Sequence, residues 1–166
     1  MAEDEGFEDF YHGTRQRVVT FLYALSGDLV DAQDAAQEAY VRAWQRWSTI
    51  SHYDDPEAWV RKVGYRICLN RWRKARNRIL AYQRHGVVSI VEPPGEDTVT
   101  LVAALRALPV AERLAITLHH LLDLPVIDVA AQTGVPVNTV KTQLVRGRRT
   151  LADLLGREPS GEYEHA

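Results

Sequence analysis

"VIDVAAQTGVPVNTVKTQLVRGRRTLADLL", residues 126–155, decides the fold. A short apolar-periodic stretch, 126–133, runs into Gly134-Val135-Pro136 and resumes as a longer, basic stretch, 137–151. Short helix, glycine turn and longer basic helix make the helix-turn-helix pattern, in which the second helix enters the DNA major groove. At about 100° per residue, Val140, Leu144, Gly147 and Leu151 gather on one side of that second helix and must pack inward. Asn138, Thr142, Val145 and Arg149 point the opposite way, flanked by Lys141 and Arg146. Asn and Arg can make bidentate contacts to adenine and guanine edges, whereas Lys and Thr suit phosphates. Helical hairpins with a basic face also occur in purely structural bundles, so the pattern alone leaves both readings open.

Working outward, the remainder of the chain reads as nearly all helix. Leu108-Pro109, Leu124-Pro125 and Val135-Pro136 punctuate the C-terminal part. Proline restricts the residue before it and fits the start of a helix after it. The spacing therefore predicts helices over about 98–108, 110–122, 126–133 and 137–155. A domain ending at 156 should be followed by a frayed polar tail, 157–166.

The stretch 86–97, which begins "GVVSIVEPP", contains the one β-like run, too short and isolated to build a sheet, and then two adjacent prolines that no helix interior accepts. It reads as a flexible linker between two small domains, 1–85 and 98–156. In the first domain a helix from about Phe7 to Ser26 should end at Gly27. Asp28 or Asp31 can cap the next, which runs to about Trp47. Ala32, Ala36, Tyr40, Ala43 and Trp47 form its buried stripe. After a polar loop, "STISHYDD", Asp55 at an N-cap, Pro56 at the first helical position and Glu57 in the first turn start a third helix. This helix can continue to about Arg84, with Val60, Val63, Ile67, Ala75 and Ile79 on its buried side.

Charge is distributed unevenly. Residues 1–40 hold nine Asp/Glu and two Arg, whereas residues 61–85 hold nine Lys/Arg and no acid, although the whole chain carries a formal charge of only -2. Segregated charge means that separate surfaces meet different partners, and a basic face attracts polyanions. No run of about 18 apolar residues is present, so membrane insertion is not expected. The start MAEDEGFEDF is acidic where a secretory leader would be basic, which makes the cytoplasm the expected compartment. The single cysteine, Cys68, excludes an internal disulfide and leaves no Cys/His zinc cluster. His119 and His120, adjacent on a helix, make a poor chelating pair. With no glycine-rich phosphate loop either, the sequence points away from an enzyme, a metal or a cofactor.

At this point a resemblance becomes specific. "ALRALPVAERLAITLHHLLDLPVIDVAAQTGVPVNTVKTQLVRGRRTLADLL" looks like region 4 of bacterial sigma-70 family sigma factors, which reads the −35 promoter element. "DAQDAAQEAYVRAW" resembles region 2.2, and "DDPEAWVRKVGYRICLNRWRKARNR" resembles regions 2.3 and 2.4. The short linker in place of region 3 resembles the extracytoplasmic-function (ECF) group, and "YDDPEAWVRKVGYR" its actinomycete-type members. The resemblance implies that Asp34, Gln37 and Glu38, with Asp31 beside them, dock on the β′ clamp helices of RNA polymerase. Spaced i, i+3 and i+4, the first three share one helical face. Acids in a helix's first turn also oppose its dipole, which accounts structurally for Asp31 and Asp34 but not for Glu38.

The resemblance further implies that Lys62, Tyr65, Arg66, Asn70, Arg73 and Arg76 hold the −10 element, while Ser51, His52 and Tyr53 receive a flipped base. Tyr65 and Trp72 offer aromatic platforms or are buried. Asn138, Lys141, Thr142, Val145, Arg146 and Arg149 would read −35. The implied partners are core RNA polymerase, through β′ and the β subunit, promoter DNA and, as for many family members, an anti-sigma factor. One departure stands out: Pro125 and Pro136 occupy positions where the family commonly has Ser, which shifts the expected seating of the recognition helix near Val137 and Asn138. The competing reading is a freestanding helix-turn-helix regulator, which would need neither the acidic face nor the second basic helix.

Overall fold

The computed structural model describes residues 2–77 and 95–156, and every regular element among them is helical. They fall into two compact units that divide between residues 93 and 94. In the first, α1 (Ala2–Ser26), α2 (Leu29–Gln45), the single turn α3 (Trp47–Ile50) and α4 (Pro56–Asn77) follow in order. The second contains α5 (Glu96–Arg106), α6 (Val110–Ile116) with a π turn at Thr117–Leu121, α7 (Val126–Thr133) and α8 (Val137–Leu154).

Local chemistry explains the breaks. Gly27 takes φ +72°, a left-handed conformation that ends α1. Of the two candidate caps for α2, Asp28 is the one used: its Oδ1 accepts the Asp31 N–H at 3.1 Å. Asp55 starts α4 as expected, accepting the Ala58 N–H at 2.9 Å ahead of Pro56. Several boundaries differ from the sequence expectation. The apolar stripe of α2 stops at Gln45, and Trp47 belongs to α3, where it packs its ring 4.9 Å from Phe10 and 5.4 Å from Phe7. The polar loop is partly helical because Ile50 is buried and draws that turn inward. α1 begins earlier than Phe7, and α5 begins at Glu96, inside the stretch assigned to the linker. The continuation of α4 toward Arg84, the side chains of Ala75 and Ile79, most of 86–97, and the tail 157–166 lie outside the described residues.

The core of the first unit is made by Val18, Phe21, Leu22 and Leu25 of α1, the alanine face of α2, and Val60 and Ile67 of α4. Val63, expected inside, is half-buried. Tyr40 is buried too; Thr14 gives its hydroxyl hydrogen to the Phe10 carbonyl (2.7 Å), so the Tyr40 hydroxyl donates to Thr14 Oγ1, also at 2.7 Å. Burial raises the Tyr40 phenol to about 12, keeping it a neutral donor. Glu57 accepts from Arg17 Nε at 2.8 Å and faces Arg61 at 3.2 Å, tying α1 to α4.

In the second unit Leu105, Leu108, Ile116, Leu118, Val129, Val140 and Leu144 form the core. Buried Arg113 donates to the carbonyls of Arg106 (3.0 Å) and Leu108 (2.9 Å), satisfying the end of α5. The turn between α7 and α8 rests on Gly134 at φ +73°. Gly147 lets α8 approach α6 closely: a Cβ there would lie 2.8 Å from Ile116 Cγ1. Gly147→Val should therefore lower the unfolding free energy of this unit by about 1–3 kcal/mol through overpacking. Urea titration reads this directly; an unchanged midpoint would show that α8 has room to spare.

Candidate functional sites

The face of α2 that the sequence assigned to partner docking is mostly presented to solvent. Asp34 and Gln37 are exposed, and Asp31 and Glu38 are half-buried. Glu38 is not an unbalanced acid, however. It pairs with Arg42 at 2.6 Å, one turn on, and with Arg71 of α4 at 3.6 Å. Sequence order hid the second pairing because the two residues meet only when α2 and α4 pack together. Beside Gln37 an apolar groove of about 350 Å³ opens between α1 and α2, lined by Phe7, Tyr11, Gln37, Tyr40, Val41 and Trp44. Trp44 is 56% and Val41 49% exposed, so the groove continues into apolar surface facing solvent. The sequence did carry that signal, since Gln37, Val41 and Trp44 recur at helical spacing on one side of α2.

On α4 the residues expected to hold DNA and their neighbouring cations divide into two groups. Lys62, Arg66 and Arg73, with the neutral Asn70, are exposed along one side. Arg61 instead turns inward, 5% exposed, against Glu57 and, at 3.8 Å, Asp55. With Arg71 drawn to Glu38, the run of nine cations is not one uniform face. The signal for Arg61 was present in sequence as Glu57 four residues before it. Tyr65 and Trp72 are half-buried. Arg76 lies on α4, but its side chain is outside the described residues. Ser51, His52 and Tyr53 are exposed, and His52 Nδ1 lies 2.9 Å from the Ser48 carbonyl, pinning the loop to α3.

The helix-turn-helix places all six of its expected residues together. Asn138, Lys141, Thr142, Val145, Arg146 and Arg149 are exposed along one side of α8. Val140, Leu144 and Gly147 are buried on the other side, and Leu151 is half-buried. The face carries three cations and no carboxylate, which suits a phosphate backbone, and its Asn, Arg and Val side chains suit base edges.

Comparison with known proteins gives this arrangement its family. Residues 10–78 match the model for sigma-70 region 2, and residues 98–151 match that for sigma-70 region 4. The chain belongs to the sigma-70 family. It is 28% identical over 161 residues to the ECF RNA polymerase sigma factor SigE of Mycolicibacterium smegmatis, covering 90% of this chain and 62% of that one. To the ECF RNA polymerase sigma factor SigW of Bacillus subtilis it is 24% identical over 166 residues, covering 90% and 89%. In fold it is similar to the sigma factor RpoE of Bartonella quintana, solved in complex with the anti-sigma factor NepR: TM-score 0.74, 21% identity, 93% and 99% of the two chains covered. Both of the sequence relatives are ECF sigma factors.

The two prolines that the sequence placed ahead of the helix-turn-helix helices do cap them. Pro125 (φ −57°) and Pro136 (φ −61°) stand at the N-caps of α7 and α8 and offer no side-chain hydrogen bond. Their carbonyls begin the helical ladders, accepting from Val129 at 3.0 Å and Val140 at 3.1 Å. Cys68 is buried in the first unit, and that burial pushes its thiol up to about 11. Among the described residues no group of three or more potential metal ligands occurs.

The histidines have a structural use instead. His119 Nδ1 donates to the Leu124 carbonyl at 2.7 Å, and Arg148 Nε of α8 donates to His120 Nε2 at 3.0 Å. A lone pair on Nε2 requires neutral His120, and burial, Arg148 and His119 together lower its pKa, with Asp123 opposing. Because the folded value lies below the unfolded one, the bond contributes stability above the ordinary histidine range, and that stability falls as pH drops through the lowered value. Urea midpoints of the wild type should fall more steeply between about pH 7 and 5 than those of His120→Gln; parallel slopes would discount the contact.

Proposed function

We infer that this chain is the promoter-specificity subunit of an RNA polymerase, binding core enzyme and directing initiation through the −10 and −35 elements, with no catalysis of its own. The observation that carries this reading is the presence, in order, of both sigma-70 regions, the second with its whole base-reading side open to solvent. A freestanding regulator would not account for region 2. The cytoplasm is where such a subunit would work. Among the described residues no helix is long and apolar enough to cross a membrane.

The division of roles follows from the surfaces. Asp34, Gln37 and Glu38, with Asp31 nearby, would meet the β′ clamp helices, and the adjoining Val41 and Trp44 would add apolar contact area. Lys62, Arg66, Asn70 and Arg73, with Tyr65 and Arg76, would hold the −10 strand, and Ser51, His52 and Tyr53 would contact one of its bases. The exposed side of α8 would read −35. Two small modules acting on one DNA gain affinity because the polymerase fixes their spacing. The Bartonella quintana relative is held by an anti-sigma factor, and the same class of partner is proposed here.

Reconstitution with purified core polymerase tests the reading: run-off transcription across a promoter library should yield start-site-selective RNA that neither component makes alone. Asp34→Lys, on an exposed residue, should lower core affinity at least about ten-fold while leaving the urea midpoint unchanged. Normal affinity in a pull-down would remove Asp34 from the docking face. Arg149→Ala should cost about 1–3 kcal/mol at one −35 position; equal loss on every sequence would make Arg149 a phosphate contact.

A further inference from the structure

The carboxylate of Glu38 is held from two directions. Its Oε1 accepts from Arg42 Nη2 at 2.6 Å, one turn along α2, while Oε2 faces Arg71 Nη2 of α4 at 3.6 Å. The first pair is local and would form on an isolated helix. The second is tertiary. Arg71 is the more enclosed partner, its side chain 29% exposed against 43% for Glu38, so it is the fixed end of that pair. Its Nη1 is buried and has no hydrogen-bond partner among the described residues. On α4 Arg71 lies about 180° round the helix from Lys62, and it points away from Arg66 and Arg73 as well. Its charge acts instead on the buried Cys68 thiol, where it opposes the upward push of burial. Arg71 therefore faces the packed side of α4, out of the path assigned to the −10 strand.

We propose that Arg71 is a positioning residue for core docking: from α4 it fixes the Glu38 carboxylate in the orientation that the β′ clamp helices receive. The proposal rests on the docking role given to Glu38 above. A glutamate side chain on an open helix face samples many rotamers, and a partner that binds it must arrest them at a cost. Two guanidinium groups, one on each oxygen, make that arrest before the partner arrives. Arg42 alone could not do so, because it is itself 52% exposed and moves with the same helix. Arg71 refers the carboxylate to a second helix. A carboxylate offers about four acceptor sites, so Glu38 keeps capacity for donors of the clamp. A pair this exposed adds little to folding stability, which leaves orientation as its main effect. The helix whose outer side carries Lys62, Arg66 and Arg73 thus braces the docking helix from its inner side.

The test measures affinity of the full chain for purified core polymerase, by competition with labelled wild type, alongside run-off transcription. Arg71→Met, which keeps the aliphatic stem, should weaken core binding about three- to ten-fold. Arg71→Lys, which keeps the charge, should recover most of that loss. Glu38→Gln should weaken binding too, and in its background Arg71→Met should cost nothing further. This cycle separates positioning from a general loss of structure, since a folding defect would weaken both backgrounds alike. In transcription the Arg71→Met loss should appear as a higher chain concentration at half-maximal output rather than as a lower maximum. A lower maximum would put Arg71 on the DNA and overturn the proposal, as would additive losses in the cycle or undiminished binding by Arg71→Met. Normal core binding by Glu38→Gln removes the carboxylate from the docking face, and the role of Arg71 with it, while the initiation reading stands. Failure of wild-type holoenzyme to transcribe from any promoter overturns the initiation reading itself.

Discussion

The first unit depends on the smallness of one helix face. Ala32, Ala35, Ala36, Ala39 and Ala43 of α2 are all buried, and side chains of that size let neighbouring helices approach at the short end of the usual 8–10 Å range. Gly64 extends the same economy to α4, where a Cβ would lie 2.7 Å from Leu22 Cδ1. Close packing has an electrostatic result. It brings the acidic side of α2 within reach of the basic side of α4, so Glu38 meets Arg71. Larger residues at the alanine positions would separate the two charge sets as well as the two helices.

That geometry changes how the charge pattern is understood. In sequence, acids and cations occupy separate blocks, and each block seems committed to its own partner. In the fold some of each set is spent on the other. Arg61 is buried and Arg71 is half-buried, both tied to carboxylates, whereas Asp34, Lys62, Arg66 and Arg73 stay in solvent. The surfaces left for partners are therefore smaller and more defined than the composition implied. They are also mixed in character, since an apolar groove flanks the acidic side and an indole flanks the basic one.

Helical periodicity made most of the architecture legible. The inward and outward sides of α8 follow from the spacing of Val140, Leu144 and Gly147, because one helix packed on one core has no other solution. Pro56, Gly134 and Asp55 marked their boundaries by local chemistry alone. What periodicity could not show were contacts between one helix and another: Arg71 against Glu38, and Arg113 on the carboxyl end of α5. The α3 turn escaped for a related reason. Its polar composition reads as loop, and only the burial of Ile50, a tertiary event, makes it helical.

The two proline caps bear on the stability of the reading head from an unexpected direction. A serine at those places would add a hydrogen bond to the folded protein. Proline adds none, but its ring narrows the conformations open to the denatured chain, an effect of about 0.4–1 kcal/mol per site where the native geometry is compatible. Pro125 and Pro136 both sit at φ close to −60°, where the ring imposes no strain. The bend that orients the recognition helix is thus favoured by impoverishing the alternatives, and heat, which rewards disorder, has less disorder to reward at that corner.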